Sequence, residues 1–254
     1  MRLGFVGTGT IAQALVRGIR TQDAETEIHL SPRSAEITKR LAQDFPNTYR
    51  HDTNQSVLDK SDIVVLGMLP QQMEEVVAAL RFRPDHVVIS CVASTAFTEV
   101  SAMVAPARAA CRITPLPPVE YGRGPIVMYP RLEEAVAIFG GLGDLVIAES
   151  EDEIRSISTV SGTMSTFFEL QRTMAQWMAD NNVPMSRASL YTRSLFESLS
   201  FVARTVESDE SLVDPADHET RGGLNERTRA RLAEAGWFRR MKEELDHLQQ
   251  TRLR

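Results

Sequence analysis

The sequence predicts an α/β protein, in which an N-terminal doubly wound sheet is followed by an all-α C-terminal domain. Three observations predict this class. The chain opens on a short apolar strand, a glycine-rich turn and a helix at 3–18. Short apolar strands then alternate with helices as far as residue 147. Beyond residue 150 the strand pattern stops and apolar residues recur at helical spacing. We therefore expect a Rossmann-type domain over 1–149 and a helical domain over 150–254.

The turn after the first strand has the spacing of a dinucleotide-binding loop. Its residues are Gly7, Thr8, Gly9, Thr10, Ile11 and Ala12. Gly7 allows a sharp turn, Gly9 lets a pyrophosphate approach the backbone, and the small Ala12 lets the helix lie against the strand. The free N–H groups of the first helical turn would then face the phosphates. A tight turn without a ligand and a methyltransferase loop are the alternatives.

The end of the second strand indicates which cofactor is used. An acidic residue there would bind the 2′-hydroxyl of NAD, and none is present. Ser31, Arg33 and Ser34 instead offer hydroxyls and a guanidinium, which suit a 2′-phosphate. The pattern therefore favours NADP over NAD. The alternative is that Ser34 caps the next helix and that the arginine is incidental.

The strands and helices of the first domain follow one another at short intervals. The predicted strands lie at 3–6, 27–30, 49–51, 63–68, 87–92, 110–113, 126–129 and 145–147. Helices are predicted at 34–44, 71–80 and 97–104. This alternation is typical of a parallel, doubly wound sheet.

The last hundred or so residues carry long apolar stripes at helical spacing. One runs from Ile154 to Met178, a second helix starts at Pro184, and further helices run through Leu232 and from Trp237. Such stripes are usually core. Helices of this length with few turns often need a partner to cover them, so we expect a homodimer or a higher homo-oligomer.

Composition excludes several classes of function. The formal net charge is −6 without a long basic run, so nucleic acid is not an expected partner. No apolar run could span a bilayer, and the first strand begins where a signal peptide would stand. Cys91 and Cys111 are predicted to be buried thiols of a cytoplasmic protein, and the five histidines have no metal-ligand spacing.

Several motifs together resemble the pyrroline-5-carboxylate reductases, the NAD(P)H-dependent enzymes of proline synthesis. The start matches the family pattern G-x-G-x-x-A-x-A-x-x-x-G as far as Gly18. Further matching segments follow along the chain: Pro70-Gln71, Ser90 with Ala93, 114–124, 160–162 and 220–225. The resemblance covers nearly the whole chain and implies a homodimer of interlocked helical domains.

The resemblance also implies a set of site residues. It adds Met68, Leu69, Pro70, Val92 and Ala93 to the cofactor site. For the substrate it implies Pro115, Leu116, Ser161, Met164, Arg221, Gly222 and Gly223. In the family, the glycine loop holds the substrate carboxylate through its N–H groups, and a threonine lies near the imine nitrogen. Asn225 takes that threonine's place here, so Asn225 and Thr220 are the expected catalytic donors.

The substrate half departs from the family pattern more than the cofactor half. Leu116 stands where the family has asparagine, and Met164 stands for a glycine in the helix that should face the nicotinamide. We therefore expect an NADPH-dependent reductase of a cyclic imine whose substrate is altered.

Two other functions stay open. A hydroxy-acid dehydrogenase usually needs a lysine or histidine for the alcohol proton. The lysines here are Lys39, Lys60 and Lys242, none of them in the helices expected to face the nicotinamide, which favours an imine over a ketone. A nucleotide-binding protein that has lost catalysis is the other alternative.

Overall fold

The computed structural model describes residues 1–92, 95–208 and 210–251, without the side chains of residues 109 and 110. These residues form two compact units, Met1–Ser158 and a second unit from Thr159 onward. The two units divide between Ser158 and Thr159, within the helix Glu151–Val160. The predicted domain boundary at residue 150 lies directly before that helix. The first unit holds the sheet, and the second consists of helices and their connections.

The first unit is built on one sheet of eight strands. They are β1 (Arg2–Val6), β2 (Glu27–Leu30), β3 (Thr48–Arg50), β4 (Ile63–Leu66), β5 (Val87–Ser90), β6 (Arg108–Pro115), β7 (Pro125–Tyr129) and β8 (Asp144–Ile147). Their order across the sheet is β3-β2-β1-β4-β5-β6-β7-β8. Every strand that the sequence predicts is present. The order reverses direction between β1 and β4, which is where ligands bind in doubly wound sheets.

Among the described residues, seven α-helices accompany the sheet. They are α1 (Thr10–Gln22), α2 (Ala35–Asp44), α3 (Asn54–Lys60), α4 (Pro70–Ala78), α5 (Phe97–Met103), α6 (Glu133–Phe139) and α7 (Glu151–Val160). The sequence does not predict α3 or α6. A cap marks the start of α3, because the Thr53 hydroxyl accepts the N–H of Ser56 at 3.0 Å.

Apolar side chains from helices on both faces bury the sheet. Leu15, Leu41 and Phe139 of α1, α2 and α6 join one core cluster. Val57 and Met73 of α3 and α4 join a second cluster on the other face. The central strand β4 is buried along its whole length, as expected for a strand that is covered on both sides.

The prediction of a wholly parallel sheet is wrong at one edge. Strands β1 to β6 are parallel, but β7 runs antiparallel to β6, and β8 is parallel to β7. A parallel return needs a crossover of about a dozen residues or more. The connection from β6 to β7 contains only the short 3₁₀ helix Pro117–Tyr121, so the chain reverses instead.

Strands β4 and β5 are also shorter than predicted. They end at Leu66 and Ser90, so Gly67–Met68 and Cys91–Val92 are loop residues at the carboxyl edge of the sheet. An apolar run alone does not show where a strand leaves the sheet.

The second unit contains four long helices: α8 (Met164–Asp180), α9 (Met185–Ala203), α10 (Leu224–Glu234) and α11 (Trp237–Thr251). Helices α8 and α9 pack along each other, with Phe167 and Phe196 meeting edge to face at 5.3 Å. The turn between them contains Asn182 at φ 68°, and Pro184 precedes α9. Within the described ranges, neither unit contains a helix that is long and apolar enough to cross a membrane.

Candidate functional site

The turn from β1 into α1 has the conformation that its glycines predict. Gly7 lies at φ +89°, where a side chain would be strained. Gly9 precedes α1, and a Cβ built on it would meet no atom within 4 Å. No side chain caps this end of the helix, and its first turn carries no acidic residue. The N–H groups of the first turn therefore lie beside open space.

The ends of β1 and β4 touch through their backbones. A Cβ on Gly7 would lie 2.8 Å from the carbonyl carbon of Gly67, and a Cβ on Gly67 would lie 2.8 Å from the Gly7 oxygen. Behind them, the same Gly67 Cβ would lie 3.5 Å from the methyl of Ala12, which is buried. Ala12 thus packs the helix against the strands, as its small size predicts.

A cavity of about 630 Å³ opens at this point, where the strand order reverses. It is lined by residues from the turn, the end of β2 and the loops after β4 and β5. They are Gly7, Thr8, Gly9, Thr10, Ile11, Arg33, Ser34, Gly67, Met68, Leu69, Pro70, Gln72, Cys91 and Val92. The structure therefore brings most of the predicted cofactor residues to one cavity. Ala93 lies outside the described residues.

Ser31 does not line this cavity, although the sequence suggests a phosphate contact for it. Its side chain is fully buried behind the turn. Its hydroxyl accepts the N–H of Gly7 at 3.1 Å and shares a hydrogen bond of 3.1 Å with the Thr8 hydroxyl. Ser31 directly follows β2, where a side chain can point to the cavity or to the back of the turn, and here it points to the back.

Arg33 and Ser34, in contrast, are exposed at the rim of the cavity. Arg33 makes no ion pair with any described residue. Ser34 precedes α2 with φ 58°, and its side chain makes no capping hydrogen bond. Ser34 is nevertheless the N-cap residue of α2, because its backbone carbonyl accepts the N–H of Thr38 at 3.0 Å. The alternative that Ser34 starts the helix therefore holds for its backbone.

Three lining residues are missing from the predicted set: Gly67, Gln72 and Cys91. Gly67 and Cys91 are assigned to strands in the sequence prediction, yet each directly follows a strand end. Gln72 lies one residue beyond the Pro70-Gln71 pair that the resemblance marks. Strand β2 has four residues. The same length for β4 and β5 would have placed Gly67 and Cys91 in the loops that follow them.

The Cys91 thiol belongs to the wall of the cavity and not to its chemistry. Burial, followed by the nearby Cys111, raises the pKa of the Cys91 thiol well above its usual range. Such a thiol stays protonated and is a poor nucleophile. Both cysteines are free.

The cavity fits a dinucleotide with a 2′-phosphate. The missing Cβ of Gly9 and the uncapped N–H groups of α1 leave room and donors for a pyrophosphate. At the end of β2, Arg33 supplies a guanidinium without an ion-pair partner among the described residues. No aspartate or glutamate is among the lining residues, so nothing there would repel a phosphate.

Two predicted substrate residues of the first unit lie at the same edge of the sheet but outside this cavity. Pro115 is the last residue of β6 and pairs with Ile126. Leu116 follows it, half-buried, and precedes the 3₁₀ helix Pro117–Tyr121. Both are therefore at the carboxyl end of the parallel strands.

The remaining predicted residues belong to the second unit. Ser161 begins the 3₁₀ turn Ser161–Thr163, and Met164 begins α8 directly after it. Both are half-buried. The structure thus places these two residues together at the start of a helix.

The loop that contains Thr220, Arg221, Gly222 and Gly223 leads directly into α10. Gly222 lies at φ +72° with open space where a Cβ would be, and its N–H donates to the Glu226 carboxylate. Gly223 precedes the helix and donates its N–H to the carbonyl of Thr220 at 2.7 Å. Thr220 and Arg221 are exposed.

Asn225 lies in the first turn of α10 and lines a cavity of about 380 Å³ within the second unit. Its Nδ2 donates to the His218 carbonyl at 3.1 Å. Beside it, Glu219 and Arg229 form a bidentate pair, with Arg229 NH2 2.8 Å from Glu219 Oε2. Asn225 therefore ties the loop after His218 to the start of α10 with one amide proton. Its second amide proton is not used in that bond.

The sheet, the glycine turn and the cavity define the class as NAD(P)-dependent oxidoreductases of Rossmann type. Residues 2–94 match the family model described as NADP oxidoreductase, coenzyme F420-dependent. Over most of its length the chain is similar to pyrroline-5-carboxylate reductases. It is 26% identical to that enzyme from Pseudomonas aeruginosa over 228 residues, which cover 85% of this chain and 81% of the relative.

Solved structures give the same picture of the fold. The pyrroline-5-carboxylate reductase of Streptococcus pyogenes superposes with a TM-score of 0.84 at 20% identity, covering 100% of this chain and 98% of its own. The pyrroline carboxylate reductase of Plasmodium falciparum, solved with NADP bound, superposes with a TM-score of 0.81 at 14% identity and the same coverage. The predicted fold class is confirmed.

Proposed function

We propose that this chain is an NADPH-dependent reductase of a cyclic imine, similar to the pyrroline-5-carboxylate reductases but with an altered substrate. The observation that carries the proposal is the cavity at the reversal of strand order, which combines an open glycine turn with an arginine free of ion pairs to described residues. The likeness to a pyrroline-5-carboxylate reductase over 85% of the chain supports the reaction class.

Each cofactor residue has a role that its position supports. Gly9 and the first turn of α1 would hold the pyrophosphate, and Arg33 with Ser34 would hold the 2′-phosphate. Met68, Leu69, Pro70 and Val92 would form the wall along the rest of the cofactor. When bound, the reduced nicotinamide supplies the hydride for the imine carbon.

The donors needed for an imine are available in the second unit. A cyclic imine can be protonated in water before it binds, so a hydrogen-bonding group suffices where a ketone would need an acid. The Thr220 hydroxyl and the second amide proton of Asn225 are such groups. Arg221 would bind an anionic group of the substrate, and Gly222 and Gly223 would join it once their N–H groups leave the Glu226 carboxylate and the Thr220 carbonyl.

A hydroxy-acid dehydrogenase remains a weaker second candidate. It would need a lysine or histidine beside the reacting carbon. No lysine or histidine is among the residues that line the cavity of the first unit. In the second unit, His218 lines the cavity beside Asn225. Because of this histidine, the activity assay also includes substrates of a hydroxy-acid dehydrogenase.

Leu116 and Met164 support an altered substrate. Each replaces a residue type of the family with an apolar side chain, and a site that loses polar groups stops favouring the polar features of a substrate. We propose poor activity on pyrroline-5-carboxylate and better activity on an imine of different shape around its carboxylate.

NADPH absorbance with a panel of cyclic imines and oxo acids tests these functions. Turnover on imines alone supports the proposal, turnover on oxo acids supports the dehydrogenase, and cofactor binding without turnover supports a non-catalytic protein. An efficiency on pyrroline-5-carboxylate of about 10⁴ per molar per second or more would contradict the altered substrate. The variant Met164→Gly should raise that efficiency if Met164 is the cause, and Met174→Gly in the same helix is the control.

We also propose a homodimer formed by the second unit and a cytoplasmic setting. Large apolar side chains of α8 and α9 stay exposed in the single chain, among them Phe168, Trp177, Tyr191 and Phe201. Apolar surface of this extent marks an interface. The two free cysteines support a reducing compartment.

A further inference from the structure

Ser31 has no access to the cavity, yet it touches the part of the turn on which the cavity depends. Its side chain is 0% exposed. Its Oγ lies 3.1 Å from the Gly7 nitrogen and 3.1 Å from the Thr8 hydroxyl. Its own N–H donates to the Phe5 carbonyl at 3.0 Å, which fixes the end of β2 against β1. One residue therefore joins the end of β2 to the glycine turn.

The partners of Ser31 have few alternatives. Gly7 lies at φ +89° with its backbone against Gly67, so its position tolerates little adjustment. Thr8 is 1% exposed, so its hydroxyl has almost no water to bind. Removal of the Ser31 hydroxyl would leave the buried Thr8 hydroxyl and the half-buried Gly7 N–H without this hydrogen bond, which is costly. The turn would then have to shift or loosen.

A second serine has the same relation to another wall of the cavity. Ser90 ends β5 and is fully buried, and its hydroxyl accepts the N–H of the lining residue Val92 at 3.2 Å. Buried serine hydroxyls thus hold two cavity loops from behind. Ser31 is the better case for a test, because it holds the turn that would carry the pyrophosphate.

We propose that Ser31 is a positioning residue, which sets the shape of the glycine turn for both NADPH and NADH and does not choose between them. The inference rests on the proposed cofactor site. Choice between the two cofactors belongs to Arg33 and Ser34, which line the cavity, whereas Ser31 acts only through Gly7 and Thr8.

The test measures equilibrium binding of NADPH and NADH to the full-length protein by titration calorimetry. For Ser31→Ala, we expect the dissociation constants of both cofactors to rise by the same factor, roughly tenfold, as for the loss of a hydrogen bond. Thr8→Val removes the partner hydroxyl and should give part of the same rise. The double variant should then lose less than the product of the two single losses, because both changes break one contact.

A matched control separates positioning from general destabilisation. Ser61 is also fully buried, and its hydroxyl donates to the Val57 carbonyl at 2.7 Å, away from the residues that line the cavity. Ser61→Ala should lower thermal stability but leave both dissociation constants unchanged. If Ser31→Ala fails to fold, Thr8→Val alone carries the comparison with Ser61→Ala.

The other outcomes overturn the inference in distinct ways. A loss for NADPH alone would mean that Ser31 contacts the 2′-phosphate directly. Unchanged binding of both cofactors, or an equal loss in Ser61→Ala, would mean that the hydroxyl has no specific role in the turn. If the unmodified protein binds neither NADPH nor NADH, the proposed function itself fails, and this inference fails with it.

Discussion

Arg33 stands at the end of β2, exposed at the rim of the cavity and without an ion pair to any described residue. We expect Arg33→Ala to weaken NADPH binding by about 1.5–3 kcal/mol, the range for a hydrogen bond to a charged group. NADH affinity should hardly change, because NADH has no 2′-phosphate. Fluorescence titration with both cofactors measures the difference.

Arg40 provides the control for this prediction. It lies on α2, the helix that follows Arg33, exposed, with Asp44 at 3.6 Å, and it does not line the cavity. Arg40→Ala should leave the affinity for both cofactors as it was. Equal loss of NADPH and NADH in Arg33→Ala would count against a 2′-phosphate contact.

Gly9 gives a second prediction at this scale, in which affinity and stability separate. Gly9→Ala adds a methyl group into space where nothing lies within 4 Å, and the backbone there (φ −87°, ψ −165°) suits any residue. The free energy of unfolding should therefore change by less than about 0.5 kcal/mol. Binding of both cofactors should fall roughly tenfold or more, because the methyl group occupies the approach of the pyrophosphate.

Gly67→Ala, in contrast, should lower the free energy of unfolding measured by denaturant titration. Its Cβ would lie 2.8 Å from the Gly7 oxygen, so the free chain should already be destabilised. If Gly9→Ala binds both cofactors normally, the open space in front of Gly9 is not where the pyrophosphate lies.

Individual residues were predictable where chemistry forces one role. Gly7, Gly9 and Ala12 have the conformation or the packing that their sizes require. Ser31 was assigned to the cavity, but a serine at a strand end can serve the ligand or the turn, and sequence does not distinguish the two. The bond from Asn225 to the His218 carbonyl depends on how the loop folds back, which no local pattern shows.

At the scale of elements, a histidine pair joins β2 to the end of β3: His29 of β2 is buried, and His51, directly after β3, is half-buried. His29 Nδ1 lies 3.0 Å from His51 Nε2, and His29 stacks on Tyr49 of β3. Burial lowers the pKa of both rings. The neighbouring His51 lowers that of His29 further, Lys60 lowers that of His51, and Glu27 partly offsets the effect on His29.

This pair predicts that the protein loses stability in mild acid. The folded-state pKa of each ring lies below the unfolded value of about 6.5, so the unfolded chain takes up protons more readily. Stability is therefore present above about pH 6.5 and is lost as the pH falls below it. Urea unfolding at pH 7.5 and 5.5 should show the loss, and the double variant His29→Gln, His51→Gln should reduce it.

His218 is the control, since it lies exposed in the second unit. The acid sensitivity that belongs to the pair should persist in His218→Gln. An unchanged dependence in the double variant would show that other groups cause the acid sensitivity.

Elements were predictable where a pattern is long or strongly apolar. All eight strands were found, because each is a short apolar run between turns. The direction of β7 could not be predicted in the same way, because an apolar run does not show which way a strand points. Only the short connection through Pro117–Tyr121 indicates that the chain reverses. Helices α3 and α6, of seven residues each, are too short for a clear helical period, and only α5 of the seven-residue helices is predicted.

At the scale of the whole molecule, the second unit leads to a prediction of assembly. Helices α10 and α11 contain no buried residue among those described, and Phe168, Trp177 and Phe201 are 60%, 66% and 70% exposed. We expect a dimer in sedimentation velocity at low micromolar concentration. Trp177→Glu should shift it towards monomer, because a charge within an apolar interface costs several kcal/mol.

Tyr121 supplies a comparison, as it is 76% exposed and belongs to the 3₁₀ helix Pro117–Tyr121 of the first unit. Tyr121→Glu should sediment like the unmodified protein. A folded, fully active monomer of the unmodified chain would contradict the proposed assembly.

The backbone contact between Gly7 and Gly67 limits which substitutions can accumulate at these two positions during evolution. Each residue already has the smallest side chain, so a larger residue at one position cannot be compensated by a smaller one at the other. The two codons, far apart in the gene, are therefore under one shared constraint. Descendants that keep the cavity should retain both glycines however far the rest diverges, and a lineage that has lost either one has given up this shape.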